Sequence, residues 1–365
     1  AFDVYNLGKC TIPYAKGNGA GGGGNVFMQF EANCNDINIG IVDADGLGDD
    51  VLAWGVTLGS GTFSNTASPN GPANMGNLTV NQVRGNTPTG VIKVFGTSGY
   101  DLGRLIFNRI EGTGPIVVGD SNAGVSGATI TSLKLLNCNN TPNQSTSHQI
   151  AVYSTAIGGI GYLEITGIDN TSASGTGRFA VIGSSGTINE TVLSLKSSVA
   201  NTTAGAITVF LTGGTFEQVI IKDTYVILNA DSSASFIRHA TGTVVSNVQF
   251  NNVYCKTNGS DGGNLYELVN GTLTNLSFNN VNSNQTLLRC FLITTATPTP
   301  TTPINVFYNN CVGVNFLVSD STTAQWGNVF ASNVRLSNKY YNAINVDGTG
   351  TWTVEAANCA NYVKD

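Results

Sequence analysis

The stretch Val248-Gln249-Phe250-Asn251-Asn252-Val253 decides the fold, because the chain repeats it. Leu276-Ser277-Phe278-Asn279-Asn280-Val281 and Val306-Phe307-Tyr308-Asn309-Asn310-Cys311 follow. Val329-Phe330-Ala331-Ser332-Asn333-Val334 and Val354-Glu355-Ala356-Ala357-Asn358-Cys359 complete the clear downstream copies. Upstream copies start at Leu78, Leu105, Leu133 and Leu163, with weaker ones at Val51, Leu193 and Val219. These twelve starts lie 23 to 30 residues apart, the spacing of a solenoid in which each repeat is one turn.

Positions one and three of the rung are apolar and position two is free, which is the period-two alternation of a strand. Position five is most often Asn, and otherwise Gly55, Gly167 or Asp223 in several of the remaining copies. Asn, Asp and Gly are the residues that accept a left-handed backbone at a single position. A strand, a left-handed bend and another apolar residue make one corner of a coil. The spacers are Gly, Ser, Thr and Asn rather than runs of helix formers, which excludes leucine-rich and ankyrin repeats. The expected fold is all-β, a right-handed, single-stranded parallel β-helix of about twelve coils. Its expected span is residues 26–365. Residues 1–25 are expected to form an N-terminal arm or cap ending in the hinge Ala20-Gly21-Gly22-Gly23-Gly24. Asn137, Asn252, Asn280, Asn310, Asn333 and Asn358 are expected to stack at the corner with positive φ and shared amide hydrogen bonds.

Composition narrows the function classes. Only 10% of the 365 residues are charged, and 16 Lys and Arg stand against 22 Asp and Glu, for a net charge of −6. That sum supplies no extended phosphate-neutralising surface and argues against nucleic acid as a partner. No run reaches the ~18 apolar residues of a membrane helix, so no membrane insertion is expected. The first residues, Ala1 to Asn6, lack a signal-peptide pattern. Seven cysteines without a CxxC pair, and only His148 and His239 as histidines, argue against zinc. The recurring Asn33-Cys34, Asn137-Cys138, Asn310-Cys311 and Asn358-Cys359 read instead as free, buried thiols within the repeat.

The rungs NVQFNNV, NLSFNNV and NVFYNNC resemble those of the pectate-lyase-like β-helix superfamily, and within it the trimeric tailspikes and fibres of tailed bacteriophages. The resemblance spans roughly residues 26–360 and is one of architecture. It implies a homotrimer, a virion-associated or extracellular location, contact with other virion proteins, and a bacterial surface polysaccharide as the target. The NTD, GHG and RIK motifs of the polygalacturonase-like members are absent, and Asp49-Asp50 is the sole DD pair, so no catalytic residue is carried over. Two function classes stay open: a spike, fibre or decoration protein that binds glycan, and a glycan depolymerase.

Three sets of residues are candidate sites. Asp43, Asp45, Asp49 and Asp50 lie among glycines and suit calcium as a hard cation, although the spacing is not that of an EF-hand; no other cofactor is expected. Asp231 and Asp261 fall twelve and thirteen residues after their rung starts, and Arg238 and Glu267 nineteen after theirs. Equal phase makes these residues lateral neighbours, placing two carboxylates beside an ion pair and His239. Paired carboxylates are what glycosidic cleavage requires, and polar turns that merely align would look the same. Finally, position two should face outward, yet holds Ile106, Ile220, Phe307 and Phe330. Phe307 and Phe330 on adjacent rungs could meet sugar rings or a partner subunit.

Overall fold

The computed structural model describes residues 2–18, 26–31, 33–56, 74–96, 99–119, 127–141, 148–152, 157–170, 179–199, 207–228, 235–240, 242–257, 263–269, 271–283, 288–295, 303–319, 326–336, 344–346 and 351–359. Among these residues every regular element is a strand, and the parallel pairing makes the chain an all-β solenoid. Two compact units divide it: Ala1–Ile168 with Phe179–Asn189, and Asp169–Arg178 with Glu190–Asp365.

Each unit is built from two parallel ladders. In the second unit the long ladder runs Thr215–Leu228, Val244–Thr257, Thr272–Ser283, Ile304–Asn309, Trp326–Ser332 and Thr351–Ala357. The short ladder runs Ile207–Leu211, Ser235–His239, Asn264–Val269, Leu288–Thr295, Val312–Ser319 and Ile344–Val346. In the first unit Cys10–Asn18, Ile37–Asp45 and Asn77–Asn86 open the long ladder. Phe2–Tyr5, Met28–Glu31, Leu52–Gly55 and Ile92–Phe95 open the short one.

The corner is where the sequence placed it. Asn137, Asn252, Asn280, Asn310, Asn333 and Asn358 all have φ between 53° and 56°, and Asp223 (47°) and Gly167 (70°) hold the same place in their coils. The left-handed bend turns the long strand, so residues before it form one face and residues after it a second; the short ladder is the third. Carboxamides bridge successive coils along this corner, with Asn252 Nδ2 donating to Asp223 Oδ1 at 3.1 Å and Asn280 Nδ2 to Asn252 Oδ1 at 3.1 Å. Asn358 Nδ2 donates likewise to Asn333 Oδ1 at 3.4 Å.

Inward positions stack coil on coil to make the core. Phe250, Phe278 and Tyr308 form a continuous aromatic pile, with centroids 5.0 and 4.9 Å apart. Such pairs add about 1 kcal/mol each beyond the burial of their area. All seven cysteines are free; Cys34, Cys138, Cys255, Cys290 and Cys311 are buried, whereas Cys10 and Cys359 are half-exposed.

Two details differ from the sequence reading. The number of turns is not twelve, because rung starts and coils do not correspond one to one. Val51 leads into Leu52–Gly55, a strand of the short ladder, while Cys10–Asn18 and Ile37–Asp45 are long-ladder strands that the rung pattern passed over. Phe2–Tyr5 and Cys10–Asn18 pair in register with the strands after them, so these parts of residues 1–25 sit in the ladders. The glycine-rich run at 20–24 lies outside the described residues.

Candidate functional site

The outward side of the first face, in the second unit, carries three columns set by the parallel register. The middle column is Gln249, Ser277, Phe307, Phe330 and Glu355. Phe307 is 41% exposed and Phe330 half-buried. Their rings stack with centroids 5.1 Å apart and planes 15° from parallel. Each ring therefore covers one face of the other, leaving the face of Phe307 toward Ser277 and that of Phe330 toward Glu355. Ser277 is too small to cover a phenyl ring.

A column of asparagines runs on one side of the stack. Asn275 Nδ2 donates to Asn247 Oδ1 at 2.9 Å, Asn305 to Asn275 at 3.2 Å, and Asn328 to Asn305 at 3.0 Å. Asn279 Nδ2 donates to Asn251 Oδ1 at 3.0 Å on the other side, where Asn309 and Ser332 continue the column. A carboxamide offers two N–H donors and two lone pairs. An interior ladder member spends one of each on its neighbours and keeps one of each for a ligand. The columns thus present paired donors and acceptors at the ~4.8 Å spacing of strands. An open groove of about 390 Å³ lies between the middle column and the Asn309 column, walled by Phe307, Phe330 and Glu355 on one side and Asn309, Ser332 and Ala357 on the other.

Ile106 and Ile220, which the alternation also turns outward, are both half-buried; Ile220 is the register partner of Gln249, and Ile106 belongs to the first unit.

The structure brings Arg238 and Glu267 together, as their phase required: they are register partners on adjacent coils. The pair is not an exposed one. Glu267 is 4% exposed and receives Arg238 Nε at 2.7 Å, Arg238 Nη2 at 3.0 Å, Ser235 Oγ at 2.5 Å and Thr294 Oγ1 at 3.2 Å. Four donors satisfy this buried carboxylate, as a buried charge requires. His239 is fully buried. Its Nε2 lies 2.8 Å from the Thr243 carbonyl and must donate there, so Nδ1 accepts from the Tyr266 hydroxyl at 2.8 Å. Burial pulls its pKa down to about 4, and the ring is a neutral bridge in the core. Asp231 and Asp261 lie outside the described residues.

Asp43, Asp45 and Asp49 engage separate partners. Asp43 accepts from the Tyr14 hydroxyl at 3.3 Å, Asp45 from Asn86 Nδ2 at 2.8 Å, and Asp49 from Thr89 Oγ1 at 3.1 Å. Among the described residues no three acidic, histidine or cysteine side chains group to hold a metal. Asp50 is buried, with Lys93 Nζ 3.4 Å from its Oδ2. Burial pushes its carboxyl up to about 7, against the pull of Lys93.

Comparison of the chain with protein-family models, with curated proteins and with solved structures gives no match. The geometry of the site therefore carries the functional argument. The sequence identified Phe307 and Phe330; it missed Asn305, Asn309, Asn328, Ser332 and Glu355 around them. The signal for the ladder was present, since Asn247, Asn275, Asn305 and Asn328 each immediately precede a rung start.

Proposed function

We propose that this protein is a non-catalytic, saccharide-binding β-solenoid that meets its glycan along the groove at Phe307 and Phe330. The observation that carries the reading is the stacked phenyl pair set between amide columns. The apolar C–H patches of a pyranose ring suit an aromatic face, and its hydroxyls suit groups that both donate and accept. A site with a few apolar surfaces and convergent polar groups is the usual form of small-ligand recognition. The saturated Glu267 and the neutral, buried His239 favour binding over cleavage.

The resemblance of the rungs to those of phage tailspikes and fibres extends the proposal. The protein acts as a homotrimeric component of a virion, outside the host cell, joined to other virion proteins and presenting this face to bacterial surface polysaccharide.

Titration of the protein with capsular or lipopolysaccharide fragments tests the reading. Phe307→Ala and Phe330→Ala should each weaken binding about tenfold while costing only about 1 kcal/mol of stability, the worth of the ring stack that either substitution removes. Binding that survives both substitutions would remove the groove as the site. Reducing ends released during incubation would overturn the non-catalytic reading.

A further inference from the structure

A second aromatic platform lies on the second face, around the corner from the groove. Tyr225 and Tyr254 are register partners, with ring centroids 5.5 Å apart and planes only 6° from parallel. Tyr254 is 43% exposed. The next residue in its column is Asn282, too short to cap the ring, so one face of Tyr254 stays open along the axis. Lys256 stands two residues further along the same strand and so projects from the same side, beside its register partner Ile227. Lys222 stands before the Asp223 bend, on the first face, as the register partner of Asn251. Among the described residues the Lys256 ammonium has no acidic partner within ion-pair distance. Asp223 Oδ1 is engaged along the axis by Asn252 Nδ2.

We propose that Tyr254, stacked on Tyr225 and with Lys256 beside it on the same strand, is a second saccharide-contact site that takes acidic sugars, those carrying carboxylate or sulfate groups. The open tyrosine face supplies the stacking surface for the ring. Lys256 supplies the charge that a neutral-sugar site would not need. The net charge of −6 argues against broad polyanion binding, and Lys256 beside the open face of Tyr254 is a local exception to it. Such binding is salt-dependent because Lys256 is only half-buried and its charge is screened by mobile ions. None of Tyr225, Tyr254 and Lys256 lines the groove, so the two sites can be tested apart.

Dextran sulfate and uncharged dextran, which share one backbone, are the probes for calorimetric titration at 50 and 300 mM salt. Wild-type protein should bind dextran sulfate at least fivefold more tightly than dextran, and less tightly at the higher salt. Tyr254→Ala and Lys256→Gln should each reduce that preference at least fivefold, while Tyr254→Phe keeps it and circular dichroism confirms folding of all three. Phe307→Ala should leave the preference unchanged, separating this site from the groove. Equal binding of dextran and dextran sulfate would overturn the proposal. So would polyglutamate binding as well as dextran sulfate, since that shows a charge patch without sugar recognition. Loss of the preference on Phe307→Ala would assign the binding to the groove and overturn it too.

Discussion

Asp50 offers the sharpest test of how the core of the first unit is balanced. It is 1% exposed, and burial raises its carboxyl from 3.8 to about 7, with Lys93 lowering it and Asp49 raising it. The folded protein thus holds this proton at pH values where the unfolded chain has released it. An acid raised in the folded state contributes most stability below its unfolded pKa, and that contribution is lost as pH climbs through the folded value. Applied to these two pKa values, the linkage relation gives a loss of about 2.5 kcal/mol between pH 5 and pH 8. Asp50→Asn keeps the shape and removes the titration. The stability difference between variant and wild type should therefore move toward the variant by about 2–3 kcal/mol over that range. Glu31, also pushed up to about 7 by burial, titrates in both proteins and cancels from the comparison. Denaturant unfolding can be followed through Trp54, which is fully buried in the same part of the chain, with Trp326 and Trp352 replaced by Phe. A difference that stays constant from pH 5 to pH 8 would refute the reasoning. A difference moving the other way would show that Lys93 holds the carboxyl ionised and outweighs its desolvation.

Two further outcomes follow from the corner and the core. Asn280 has φ 53° and bonds to Asn252, so Asn280→Ala should cost about 1–2 kcal/mol from left-handed strain plus the lost bond. Asn280→Gly should cost less because glycine accepts that φ freely; equal thermal shifts for the two variants would mean that backbone strain is not what selects Asn. Native thiol labelling should modify Cys10 and Cys359 and spare Cys34, Cys138, Cys255, Cys290 and Cys311, all buried, with burial pushing the Cys311 thiol up to about 11. Mass spectrometry showing more than two labels before unfolding would contradict the packing of the core.

The sequence by itself determined the local geometry of this protein. An apolar-x-apolar strand followed by Asn, Asp or Gly forces a bend, because the left-handed region excludes most other residues. Repetition of that unit at a nearly constant interval makes a solenoid, and the six corner asparagines named from their phase all have positive φ. The stretch around Val51 shows where this kind of reading ends. Its apolar run fits a rung, yet it forms part of the short ladder, because a brief buried strand looks the same on either face. What only the tertiary structure decided is which residues stand beside one another across coils, and what covers them. Phase alone paired Arg238 with Glu267, but only packing shows that Glu267 is buried under four donors rather than exposed in a groove. The Asn247 to Asn328 ladder, the ring geometry of Phe307 on Phe330 and the Tyr225–Tyr254 platform all join residues more than twenty positions apart. Their contacts depend on the register of parallel strands, and a shift of one residue turns an outward side chain into the core.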